Sequence, residues 1–157
     1  MKITFLLTGK TKKGFIAEGI KTYEERIKHY VSFRIIELAE PKQSGKLNES
    51  AVRVKEGEQI LKNLSTDDDV ILLDERGEML SSGEMAEFIM KKSIGSVKNL
   101  VFVAGGAYGF SKPVYERTNR MLSLSKMTFS HQIIRIIFLE QLYRAFAIIR
   151  NEPYHHG

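Results

Sequence analysis

The residues best equipped for chemistry crowd the last third of the chain, from Met121 to Tyr154. Glu140 and Arg144 stand four apart, in the order that favours an ion pair on a helix. His131 and Arg135 have the same spacing and share a face. A guanidinium stays charged and forks onto carboxylates or phosphates, so each arginine is either paired within the protein or turned toward an anionic ligand. Behind them follows a polar, aromatic tail, Asn151-Glu152-Pro153-Tyr154-His155-His156-Gly157. Upstream, Gly105-Gly106-Ala107-Tyr108-Gly109 lets a ligand approach the backbone closely, with a tight structural turn as the plain alternative. Its spacing is not the dinucleotide fingerprint, and no P-loop lysine follows. Lys10-Thr11-Lys12-Lys13 gathers three cations in one loop, suited to phosphates or simply to solvent.

Other chemistries fit poorly. Ser130 neighbours His131, and Asp74 would be available to orient it, but there is no G-x-S-x-G elbow for a serine hydrolase. The chain has no cysteine, which removes thiol catalysis, disulfides and Cys-type zinc sites. The only local histidine group is His155-His156, so no metal site is expected.

These residues must be held by a regular scaffold, and the pattern supplies one. Lys2–Thr8 reads as a buried strand ending at Gly9. From Ile16 the apolar positions Ile20, Tyr23, Ile27 and Tyr30 mark one face of a helix. Ser32–Leu38 is strand-like and ends before Pro41. A mixed-charge helix runs from about Asn48 to Leu64, with an apolar side thin enough to pack at an edge. Val70–Leu73 is an uninterrupted apolar run, a strand covered on both faces, and Asp74-Glu75-Arg76-Gly77 leaves it as a polar loop. Ser81 and Glu84 form a capping box for a helix carrying Met85, Phe88 and Ile89. Leu100–Ala104 is a second buried strand running into the glycine cluster. Ser111 and Pro113 open a helix over 112–119. Met121–Ser125 is a last strand, and Gln132–Arg150 a last helix that is apolar on nearly every side, so it must be buried on more than one face.

The order is β-α repeated five times. Strict alternation with two-sided apolar strands predicts an α/β fold, a single domain over 1–157 with a mainly parallel sheet covered by helices on both faces. The loops after Leu73, Ala104 and Ser125 leave carboxyl ends of strands expected to be neighbours, and in open α/β sheets such ends converge on one ligand crevice.

At 157 residues and a formal charge of +5, the chain is the size of one domain with a modest preference for polyanionic partners. No apolar stretch reaches membrane-spanning length without a charge. The first residues are apolar but meet Gly9-Lys10 at once and lack a small-residue cleavage site, so cytoplasmic is the default expectation.

The run Leu122 to His131, then Arg135, Glu140-Gln141-Leu142-Tyr143-Arg144-Ala145 and Pro153-Tyr154-His155, closely resembles the SPOUT (trefoil-knot) methyltransferases in their minimal form. The 105–109 loop and Met1-Lys2-Ile3 match too, so the resemblance spans essentially the whole chain. It implies S-adenosylmethionine as methyl donor, N3 of a pseudouridine in a large-subunit rRNA hairpin as acceptor, a homodimer and a knotted C-terminus. Carried over by motif, the donor site would be Leu73, Gly105, Leu124, Ser125, Lys126, Met127, Thr128 and Phe129, and the glycine pair at the end of a buried strand adds Gly106. An imide N3–H is a poor nucleophile until its proton leaves, so a base or an anion-stabilising cation is needed. Arg144, Tyr154 and His155 are the candidates. One departure is Ser130, where the family usually has proline, which is expected to loosen the helix start. Two rivals stay open: an RNA-binding module without catalysis, and an α/β enzyme acting on a small nucleotide.

Overall fold

The structure is a computed structural model that describes residues 1–42 and 44–153. Five strands form one parallel sheet: β1 (Lys2–Thr8), β2 (Ser32–Leu38), β3 (Asp69–Met79), β4 (Asn99–Ala104) and β5 (Arg120–Ser123), in the spatial order β2-β1-β4-β3-β5. Five α-helices connect or follow them: α1 (Phe15–Lys28), α2 (Glu49–Lys62), α3 (Ser82–Ile94), α4 (Lys112–Arg117) and α5 (Ile133–Ile149). The predicted α/β architecture, with both sheet faces covered, is the one observed.

The two faces follow from the period-2 alternation of side chains along each strand. Ile3, Phe5 and Leu7 of β1 point to the side covered by α1, α3 and α5, while Leu6 points to the side where Ile60 of α2 and Val114 of α4 pack. On the first side Phe138 of α5 sits between Phe5 and Phe102, its ring centroid 4.5 and 4.7 Å from theirs. Burying a side chain of this size contributes about 1.5–3 kcal/mol. That packing fixes α5 against the middle of the sheet, running from the carboxyl ends of the strands back toward their amino ends.

Caps set several helix boundaries as the sequence predicts. Asn48 accepts from the Ala51 N–H at 2.8 Å. Ser81 and Glu84 cap each other reciprocally at 3.2 and 2.7 Å. Ser130 does not loosen the start of α5. Its hydroxyl accepts from the Ile133 N–H at 3.2 Å and its carbonyl from Ile134, which orders the turn before the helix.

Three expectations need correction. β3 does not stop at Leu73. It detours through Asp74–Gly77 and rejoins β5, so that Leu122 pairs with both Leu73 and Glu78. The polar run is an excursion within a strand, and its ends are tied by the same partner. β5 begins at Arg120 and ends at Ser123, two residues earlier than the pattern indicated. α2 is no edge helix, because Val52, Glu56, Gly57 and Ile60 are buried against the sheet and α4. Its face looked thin because a glycine and a carboxylate occupy part of it.

Candidate active site

At the carboxyl end of the sheet the neighbours β4, β3 and β5 release three loops around one crevice of about 900 Å³. Its lining includes Leu73 and the start of the detour, the 104–110 segment, and residues 122 to 125 and 127 to 131. Of the residues assigned to a donor site, Leu73, Gly105, Gly106, Leu124, Ser125, Met127, Thr128 and Phe129 are thus brought together. Lys126 belongs to the same loop but is not among the lining residues.

The crevice walls are held locally. Asp74 accepts from the Tyr115 hydroxyl at 2.6 Å and from the Arg76 N–H and Nε at 2.9 and 3.3 Å. Burial alone would raise the Asp74 carboxyl, but those hydrogen bonds outweigh it and hold it below the ordinary carboxylate value. Burial and the bond to Asp74 push the Tyr115 hydroxyl upward. The Arg76 guanidinium lies over the Tyr115 ring, 4.6 Å from its centroid. On the opposite wall, the Ser123 hydroxyl donates to the Ser125 carbonyl and the Ser125 hydroxyl accepts from the Met127 N–H, both at 2.9 Å. Met127 (77% exposed), Tyr108 (42%) and Phe129 (38%) leave apolar surface uncovered at the rim. A concave site of this size, in which polar and apolar groups are mixed, suits a nucleoside-sized ligand.

The two glycines line the crevice and also leave room for protein groups. A Cβ on Gly105 would stand 3.1 Å from the Phe110 ring, and one on Gly106 would stand 2.7 Å from both carboxylate oxygens of Glu56. Gly105 thus admits the Phe110 ring, which also lines the crevice, and Gly106 admits the Glu56 carboxyl from the neighbouring pocket.

Behind the loop lies a second pocket of about 270 Å³, which shares Gly106, Ala107, Tyr108 and His131 with the crevice. Burial, together with Arg135 and Lys12, pushes the His131 imidazole below its ordinary value, against a smaller opposing effect of Glu40. Glu56, buried in this pocket, was not singled out by the sequence reading. The signal was there: Val52, Glu56 and Ile60 are spaced four apart, so a carboxylate occupies an apolar helix stripe where burying it is costly.

Arg135 is fully buried. It donates to the His131 carbonyl at 3.1 Å, the Thr11 hydroxyl at 2.9 Å and the Thr8 carbonyl at 2.8 Å, and Thr11 in turn donates to Glu37 at 2.5 Å. Gln132 bonds the Lys12 N–H and the Lys10 carbonyl. The basic loop is therefore tied by its backbone to α5, with its lysine side chains outward.

Arg144 is not at the crevice. Its guanidinium grips Glu140 at 3.0 and 2.7 Å, the pair the spacing predicts. Ile134 lines the crevice, and Arg144 comes ten residues later, about 15 Å farther along the helix axis. Tyr154 and His155 lie outside the described residues. The chain that leads to them is anchored by Glu152, which accepts from the Tyr30 hydroxyl at 2.5 Å. Burial and that bond push the Tyr30 hydroxyl well above its ordinary value.

A parallel α/β sheet whose last three strand ends frame a crevice, closed by a long C-terminal helix, is the arrangement of a methyltransferase family. The chain belongs to the SPOUT methyltransferases: the family described as predicted SPOUT methyltransferase matches residues 1–155. A protein of Christiangramia forsetii is 47% identical over 156 residues, covering 99% of both chains, and is named ribosomal RNA large subunit methyltransferase H. Relatives of the same name in Parabacteroides distasonis (47%, 99% of both chains) and Cytophaga hutchinsonii (44%, 99% of this chain and all of the relative) are similar over the same span. A methyltransferase requires a methyl donor, and the crevice is large enough to receive one.

Proposed function

We propose that this protein transfers a methyl group from S-adenosylmethionine to N3 of a pseudouridine in large-subunit ribosomal RNA, acting as a homodimer in the cytoplasm. The observation that carries this reading is the three-loop crevice, in a chain that matches the rRNA methyltransferases over its whole length. The residues present fit such a donor. Backbone at Leu73, Gly105 and Gly106 and the 124–129 segment would hold the adenosine, and the exposed Met127 and Phe129 would cover it. S-adenosylmethionine supplies an electrophilic methyl on a sulfonium sulfur. The protein's part is chiefly to position the acceptor and to manage the N3 proton.

The groups suited to that part are Arg144, Tyr154 and His155, and Arg144 stands far along α5 from the crevice of its own chain. α5 is 17 residues long, about 25 Å, and begins at the crevice. A two-fold partner bridges that gap by bringing its own Arg144 and tail to the crevice. The outward stripe of α5 favours such a contact, since Ile133 and Ile137 remain half-buried and Ile149 is 39% exposed. In the assembled site His155 takes the N3 proton, Arg144 stabilises the resulting anion, and Tyr154 stacks on the base.

The test is methyl transfer to ribosomes isolated without the modification, read by mass spectrometry of the rRNA, with free nucleosides as control. Methylation of the ribosomal pseudouridine and not of nucleosides is expected. Equal transfer to nucleosides would favour an enzyme of small nucleotides. Binding of ribosomes without transfer would favour a non-catalytic RNA-binding module.

A further inference from the structure

The basic loop between β1 and α1 has its backbone fixed and its charges unspent. The Lys12 N–H donates to the Gln132 side chain at 2.9 Å, and Gln132 donates in turn to the Lys10 carbonyl at 3.2 Å. Thr11 gives both its N–H and its hydroxyl to Glu37, and its hydroxyl accepts from Arg135. Around these anchors Lys10, Lys12 and Lys13 are exposed, and among the described residues none of the three has an ion-pair partner. Glu37, the carboxylate that holds the loop, favours the charged form of buried Arg135. Glu40 lines the small pocket instead. Three like charges within four residues repel one another, and an anionic partner would relieve them.

The loop stands beside the crevice rather than in it. Its anchor Gln132 directly follows His131, and residues 127 to 131 form part of the crevice lining. The charge of Lys12 reaches His131, where it adds to burial and Arg135 in favouring the neutral imidazole. The crevice itself is ill suited to phosphates. Its lining sets Glu49, Asp74 and Glu75 against the guanidinium of Arg76. An uncharged base can enter such a space, but the phosphates on either side of its nucleotide are repelled from it. They must be received at the rim, where the loop presents three ammonium groups.

We propose that Lys10, Lys12 and Lys13 bind the phosphates flanking the nucleotide that enters the crevice, and so position the RNA without touching the reacting base. Lysine suits this part, because its ammonium is a compact charge on a flexible stem and meets phosphate oxygens without demanding one geometry. Such contacts set the register of a nucleic acid while reading no sequence. The anchored backbone confines the ordering cost of binding to the side chains. The inference rests on the reading of the protein as an rRNA methyltransferase.

The experiment follows binding and methyl transfer with ribosomes isolated without the modification, over a series of salt concentrations. The variant carries Lys10→Gln, Lys12→Gln and Lys13→Gln together, which keeps the backbone bonds of the loop. Each phosphate contact contributes about 0.7–0.9 to the slope of log affinity against log salt, so the slope should fall by about 2–3. KM for ribosomes should rise by about tenfold or more at low salt, with kcat nearly unchanged. Calorimetric affinity for S-adenosylhomocysteine should match the wild type, which also shows that the variant is folded. Lys10→Arg, Lys12→Arg and Lys13→Arg together should restore the slope. A control with Lys62→Gln, Lys91→Gln and Lys98→Gln, exposed toward the amino ends of the strands, loses the same charge and should keep the wild-type slope. An unchanged slope in the loop variant, an equal fall in the control, or lost affinity for S-adenosylhomocysteine would overturn the proposal and leave the activity standing. Failure of the wild type to methylate ribosomes would instead overturn the reading of the activity, and this inference with it.

Discussion

The carboxyl end of the sheet has two halves that meet opposite fates. Where β1 ends, beside β2, polar groups close on one another: Arg135 reaches back from α5 to the Thr8 carbonyl and the Thr11 hydroxyl, Thr11 passes the contact to Glu37, and Gln132 clasps the backbone of the Lys10–Lys12 loop. Where β4, β3 and β5 end, polar groups such as Asp74, Tyr115 and Ser125 bond within the walls. No buried arginine spans these ends among the described residues, and the turns frame a crevice of about 900 Å³. The two halves are built from the same strand ends, and the difference lies in one buried arginine. A strand end whose polar groups are consumed within the fold becomes structure, and one whose groups stay available becomes a site. The small pocket of Glu56 and Thr8 lies between the halves and shares features of both, being enclosed like the first and unsatisfied like the second.

That contrast can be broken at several points, taken in order of expected effect on stability. Arg135→Met should cost about 3 kcal/mol or more, because it strands the Thr8 carbonyl and the Thr11 hydroxyl and leaves space at the top of α5. Urea denaturation measures this, and an unchanged midpoint would mean that the closed half is not closed by Arg135. Gly106→Ala should cost about 1–3 kcal/mol, since its Cβ would meet both Glu56 oxygens at 2.7 Å. Adding Glu56→Ala to that variant should recover part of the loss, and a double-mutant cycle reads the coupling.

On the open side, Asp74→Asn should cost about 1 kcal/mol at neutral pH by weakening the bonds from Tyr115 and Arg76. Because the Asp74 carboxyl is held below its ordinary value of 3.8, its contribution is present above that pH and is lost as pH falls through the lowered value. The wild type and the variant should therefore converge in stability in acid, as pH-dependent thermal melting would show. Divergence on acidification would contradict the assignment. Arg144→Ala should change stability least, by about 1 kcal/mol or less, since its pair with Glu140 is partly exposed. Methyl transfer to ribosomes should nevertheless be abolished.

Much of this contrast was legible in the chain. Alternating two-sided strands imply the parallel sheet, and the positions of Leu73, Ala104 and Ser125 point to adjacent loops. The Glu140–Arg144 pair followed from spacing alone. What escaped was where polar residues are buried. Asp74–Gly77 looks like any polar loop, because only the return of Glu78 and Met79 to β5 makes it a detour within a strand. Arg135 on an apolar helix was ambiguous between brace and ligand contact, since its partners Thr8 and Thr11 lie more than 120 residues earlier in the chain. Glu56 disappeared into a helix that looked mixed in charge, and its burial depends on the absence of a side chain at Gly106.

The central claim is that donor site and acceptor chemistry meet only between two chains, since Arg144 lies about 15 Å along α5 from the crevice of its own chain. Mixing two inactive variants tests it most directly. Gly105→Val, which drives a side chain into Phe110 beside the donor site, supplies an intact Arg144 and tail. Arg144→Ala supplies an intact donor crevice. After subunit exchange, half of the dimers are mixed and one of the two sites in each is whole, so activity on ribosomes should return to about a quarter of the wild-type level. Mixed dimers that form and remain inactive would contradict the account and place the complete site within one chain.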